Sequence, residues 1–256
     1  MHTTPVLSIL LLFLFSLQTS FAQIQTSSYN SQANALYESG QEANKEKRYK
    51  DAKALYQAAL RLDPSFVNAM DGMASVYFVN GQLDSAIYFH QASIKVNPRH
   101  LLAHQRLIAT YLKRGNYENA IQANQEVLKQ FRNNPRIYAE TLFGMANIYF
   151  GQKDYRSALP LSEEAMRIYL DGEQSESAAQ ARLLAAKSHM NLANYELAIR
   201  YFKAGRKYFG NQAFHHYYLG FCYLRSGKTD KADDYLRQAE LMGYQIPPYI
   251  AKEWQN

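Results

Sequence analysis

Six alanines, Ala52, Ala86, Ala120, Ala158, Ala198 and Ala232, recur at intervals of 34, 34, 38, 40 and 34 residues, and the same chemistry returns around each. Twelve residues before them stand Gly40, Ala74, Ile108, Ala146, Ala186 and Gly220, five of them small. Nine before stand Ala43, Tyr77, Tyr111, Tyr149, His189 and Tyr223, and three before stand Tyr49, Leu83, Tyr117, Tyr155, Tyr195 and Thr229. Seven after come Ala59, Ser93, Val127, Ala165, Gly205 and Ala239. A period of this length marks stacked units, each burying its apolar face only against its neighbours. Small side chains let two helices cross closely, and a ring from the flanking turn fills the space beside them. The offsets therefore describe one helical hairpin used six times.

This spacing resembles the tetratricopeptide repeat family. The resemblance is carried by Leu36-Tyr37-Glu38-Ser39-Gly40, by Tyr49-Lys50-Asp51-Ala52, by the run from Tyr217 to Tyr223, and by Pro64 and Pro98 closing the first two units. It covers residues 33–244 and implies an all-α, right-handed α-solenoid of helix-turn-helix units at about 33–66, 67–100, 101–136, 137–176, 177–212 and 213–244. The third unit departs from the pattern with Ile108 at its small position and Asn133-Asn134-Pro135 before the next helix. The longer middle intervals and the polar stretch 171–177 predict lengthened helices or a longer loop. Pro160 falls just inside the second helix of the fourth unit, where a tolerated start or a mild kink is expected. Residues 245–256 read as a C-terminal cap: Pro247-Pro248 breaks the last helix, and Ile250 and Trp254 then share one face of a short helix beside Tyr249.

Residues 1–22 read as a signal peptide, with an uncleaved membrane anchor as the alternative. The apolar stretch Val6 to Leu17 is too short to span a bilayer, which needs about 20 residues. The exit Ser20-Phe21-Ala22 suits cleavage before Gln23, although the segment opens with only its free amine and His2 as basic groups. Residues 23–32 form a polar lead-in. No cysteine follows the apolar stretch, which excludes a lipoprotein anchor, so the expectation is export to the periplasm or beyond with no membrane span left after cleavage. Cys222, the one cysteine, excludes an intramolecular disulfide and a cysteine-based metal site. The net charge of +6 comes with no long basic run, which argues against nucleic acid and for acidic proteins or anionic surfaces as partners.

The sequence contains no GxSxG, P-loop, HExxH or dinucleotide motif, and no nucleophile with a base beside it, so neither a catalytic residue nor a cofactor is expected. His100 and His104, four apart, are the strongest metal candidates but lack further ligands, and no metal is expected. His215 and His216 are adjacent and diverge on a helix. In the tetratricopeptide family the first helix of each pair lines a concave surface. The resemblance places Tyr37, Gln41, Asn44, Asp71, Ser75, Phe78, Gln105, Ala109 and Leu112 there in the first three units. In the last three it places Phe143, Asn147, Phe150, Leu183, Lys187, Met190, Phe214, Tyr217, Phe221 and Leu224. The lining grades from polar to aromatic, which points to a peptide or helix docked across units four to six, or to rings that pack on one another and on the cap. Tyr37, Gln41 and Ser75 stand where a carboxylate clamp would need basic and asparagine side chains, so no such clamp is expected. The reading is a non-catalytic scaffold of the cell envelope or extracellular space that holds a protein partner, with self-association also compatible. The alternative is a glycan- or small-ligand-binding protein, because rings stack on sugar faces too.

Overall fold

The computed structural model describes residues 30–255, so the apolar leader and residues 23–29 of the lead-in lie outside the described residues. Among the described residues there are fourteen helices and no strand. Helix α1 is described over 30–45 and so already includes 30–32, which composition assigns to the lead-in. It is followed by α2 (Tyr49–Leu62), α3 (Val67–Val79), α4 (Leu83–Val96), α5 (Leu101–Arg114) and α6 (Tyr117–Gln130). Then come α7 (Pro135–Gly151), α8 (Tyr155–Asp171), α9 (Ser175–Asn191), α10 (Tyr195–Ala204), the single turn α11 (Arg206–Phe209), α12 (Ala213–Arg225), α13 (Thr229–Leu241) and α14 (Pro248–Trp254). The chain divides after Ala120 into two compact units.

Each second helix begins on the residue three before a repeat alanine, from Tyr49 in α2 to Thr229 in α13. The turn before it is built the same way each time. The residue five before the alanine has a left-handed backbone: Lys47, Gly81, Gly115, Lys153, Ala193 and Gly227 all have positive φ. The next residue donates its N–H to the carbonyl nine before the alanine, as in Gln82 to Tyr77 and Lys228 to Tyr223, both at 2.9 Å. This six-to-one bond satisfies a carbonyl that the helix end leaves open and reverses the chain within three residues or fewer.

All six repeat alanines are fully buried. A Cβ on Gly40 would lie 2.6 Å from the ring of Tyr56, and one on Gly220 would lie 2.7 Å from Leu236, so these crossings have room for no side chain. In the first unit Ala43, Ala52, Tyr56, Met73 and Val76 form one core. In the second, Ile199, Phe202, Leu219, Cys222 and Tyr223 form another around Ala186, Ala198 and Ala232.

The extra residues of the middle repeats lie in helix. Helices α7, α8 and α9 have 17 residues each, against 13 or 14 in α2 to α6, and residues 172–174 make only a short turn. The longer-loop alternative is thereby set aside. Pro160 is interior to α8, not at its start: the helix runs through it and forgoes one backbone bond in its second turn. After α13, Gly243 turns left-handed (φ 84°) and leads the chain to α14, where Ile250 is fully buried beside Leu236, Ala239 and Tyr217. Trp254 Nε1 donates to Asp233 Oδ1 at 3.1 Å, and Arg225 pairs with Glu253 at 3.0 Å.

Candidate binding surfaces

In the second unit, α7 carries Phe143, Asn147 and Phe150, and α9 carries Leu183, Lys187 and Met190. Lys187 Nζ lies 5.6 Å from the ring centre of Phe150 and 5.3 Å from that of Tyr218. It has no carboxylate partner among the described residues, and burial lowers its pKa. Phe150 meets Tyr155 edge to face at 5.1 Å. Asn147 is exposed and donates its amide back to the Phe143 carbonyl at 2.8 Å. Phe214 on α12 leans on Tyr218 and Phe209.

The carboxyl end of the expected groove is largely filled by the chain itself. Leu183, Met190, Phe221 and Leu224 are half-buried against the core around Phe202 and Leu219. Tyr217 follows the packed alternative and is not groove lining. It is 7% exposed and stacked on Tyr244 at 4.4 Å, so it belongs to the packing beneath the C-terminal segment and not to an open surface. Tyr218, which sequence register passes over, stacks on Phe202 at 5.4 Å and meets the Lys187 ammonium. Its one signal in the sequence is position, a single residue beyond Tyr217.

The first unit presents different chemistry. A cavity of about 340 Å³ is lined by Tyr37, Gln41, Asn68, Asp71, Ser75 and Arg106, among others. A second, of about 190 Å³, shares Ser75 and Arg106 and adds Phe78, His90, Ala109 and Thr110. Asp71 is 6% exposed. Its Oδ2 lies 3.5 Å from His100 Nε2, while its Oδ1 has no hydrogen-bond partner. Burial raises its pKa, opposed by the Ser93 hydroxyl and by the positive potential of His100 and Arg106. Arg106 joins no ion pair among the described residues.

His100 Nδ1 also lies 3.1 Å from Ser93 Oγ, so Asp71, His100 and Ser93 follow one another in the order of a hydrolase triad. Ser93 is fully buried at the small position seven after Ala86, where no substrate carbonyl can reach its oxygen. The trio is an internal network joining α3 and α4 to the start of α5. His104 turns elsewhere, with Nε2 2.9 Å from the Pro98 carbonyl, so the two candidate ligands do not converge. His215 is 1% exposed against Phe202, with neither ring nitrogen partnered, and burial lowers its pKa to about 4.

Repeated helical hairpins with closed crossings define the fold as an α-solenoid. Tetratricopeptide repeat profiles match residues 99–171 and residues 32–92 and 183–244, and the chain belongs to the tetratricopeptide repeat family. Members of this family mediate protein–protein interactions, and their fold is typically a non-catalytic scaffold. No curated protein matches the chain. Among solved structures, the Pseudomonas aeruginosa pilF protein is similar at 17% identity and TM-score 0.58, over 89% of this chain and 97% of its own. A tetratricopeptide repeat protein from Parabacteroides merdae is similar at 16% identity and TM-score 0.58, over 88% and 97%. YrrB, described as having an unusual peptide-binding site, is similar at 16% and 0.59, over 73% and 92%. At these identities the likeness is one of fold. No described helix is long and apolar enough to cross a membrane.

Proposed function

We propose that this protein is an exported, non-catalytic scaffold that holds an acidic, amphipathic segment of a partner protein on α7 and α9 of its second unit. The observation that carries this is Lys187, an ammonium lodged between the rings of Phe150 and Tyr218 without a carboxylate. Ring faces attract a cation, but they do not replace the counter-ion it loses on leaving water. An Asp or Glu of the partner would supply that charge while apolar side chains beside it cover Phe143 and Phe150. The net charge of +6 favours approach of an acidic partner. The buried Ser93 supports the absence of hydrolytic chemistry, and the leader with its Ser20-Phe21-Ala22 exit supports export to the periplasm or beyond.

Crosslinking in the native host followed by mass spectrometry should recover a protein partner. With that partner in hand, Lys187→Glu should weaken binding by about tenfold or more, the equivalent of ~1.4 kcal/mol, and Phe150→Ala by a similar factor. Wild-type affinity in both variants would remove this surface from consideration. Export is checked separately by fractionating the cells and measuring the mass of the mature chain, which should begin at Gln23. A full-length precursor retained in the cytoplasm would overturn it.

A further inference from the structure

We infer that the adjoining cavities of the first unit bind a small zwitterion, an α-amino acid with an apolar side chain, using Asp71 for its ammonium and Arg106 for its carboxylate. Asp71 and Arg106 line one cavity of about 340 Å³, yet no ion pair joins them. Opposite charges that share a partly dry space gain most by closing on each other in a hydrogen-bonded pair. These two remain apart, with Asp71 Oδ1 unpartnered and its side chain only 9% exposed. A ligand carrying both charges on neighbouring atoms satisfies the two groups at once. The planar fork of Arg106 donates two parallel hydrogen bonds to a carboxylate, and the Asp71 carboxylate on the same wall takes an N–H of the ammonium.

A ligand with one charge fits less well. A lone cation would meet the positive potential of Arg106, and a lone anion would meet Asp71. Of the other charged groups on the wall, Lys45 is paired with Glu42 at 3.2 Å and His100 faces Asp71 Oδ2 at 3.5 Å. The neutral ones suit the same head group: the Tyr37 hydroxyl accepts from Gln41 Nε2 at 2.7 Å and keeps its own proton to donate. The neighbouring space of about 190 Å³ opens beside Arg106 onto Phe78, Ala109 and the Thr110 side chain, with His90 also on its wall, and would take the apolar side chain.

The two ends of a short peptide offer the same pair of charges, and the choice of probes separates the sources. The full chain is titrated calorimetrically with leucine, with isoamylamine (no carboxylate), with 4-methylpentanoate (no ammonium) and with dileucine, and its melting is followed with each proteinogenic amino acid. Leucine or a similar amino acid should raise the melting temperature, and the amine and the acid should bind at least about tenfold more weakly. Tighter binding of dileucine would support the site and assign it to peptide ends. Asp71→Asn and Arg106→Gln should each lower affinity about tenfold or more, with the helical circular dichroism retained. Arg106 is only half-buried, so its variant decides the question if Asp71→Asn fails to fold. The inference is overturned if no amino acid or dipeptide shifts melting at millimolar concentration, if the amine or the acid binds as well as the zwitterion, or if Arg106→Gln binds like the wild type.

Discussion

Five residues before each repeat alanine the backbone is left-handed, and three of those six positions hold no glycine. Lys47, Lys153 and Ala193 have φ of 59°, 62° and 60°. A Cβ in this region crowds the following carbonyl at a cost of about 1 kcal/mol, partly offset because glycine is freer in the unfolded chain. Ala193→Gly should therefore stabilise the second unit by about 0.5–1 kcal/mol in urea titrations. Gly115→Ala should likewise cost about 0.5–1 kcal/mol, although nothing lies within 4 Å of the new methyl group. Equal signs for the two changes would show that backbone conformation does not govern the turn. The alanine ladder was legible in the sequence because burial selects one residue type at those positions. The turn position was not, since glycine, lysine and alanine share a conformation there and no side-chain chemistry.

Among the elements, the second helices could be placed from sequence and the C-terminal surface could not. Register assigned Tyr217 to a groove, but the chain returns at Gly243 and lays Tyr244 over it, 27 residues downstream. No periodicity within α12 signals that contact. Helix α14 is anchored by Ile250, fully buried among Tyr217, Leu236 and Ala239. Ile250→Ala should destabilise the last hairpin by about 2–4 kcal/mol and expose Tyr217. The check is the near-ultraviolet circular dichroism of the tyrosines together with amide exchange across α12 and α13. Protection unchanged in α12 would mean that α14 is an ornament on a self-sufficient pair. In the first unit, Asp71, Ser75, Tyr37 and Gln41 are on the expected lining, but the cavity they share with Arg106 depends on where α5 lies relative to α3, which sequence spacing leaves open.

Across the whole molecule, each unit carries one imidazole held neutral by burial: His90 in the first and His215 in the second, both 1% exposed with pKa lowered to about 4. In the unfolded chain these groups titrate near 6.5, so protonation favours unfolding. The stability they permit is complete above about pH 6.5 and is lost as pH falls from there towards 4, on the order of 2–3 kcal/mol for each. Asp71, whose pKa is raised, works in the opposite sense and offsets part of the loss in the first unit. Melting temperature should fall steadily over that range, and His215→Phe should flatten the part of the fall that belongs to the second unit. A variant as acid-sensitive as the wild type would move the cause to other groups.

The bond that closes the turn inside each of the six hairpins runs from one main-chain N–H to one main-chain carbonyl, and it recurs over residues as different as lysine, glycine and alanine. Such a joint makes almost no demand on the letters written over it. Apart from the buried small residues at the crossings, most of each repeat is free to drift without loosening the hairpin. That freedom accounts for a backbone shared at TM-score 0.58 with proteins whose sequences agree at one position in six. It also means that the hairpins could keep their architecture while their exposed residues were rewritten for a new partner.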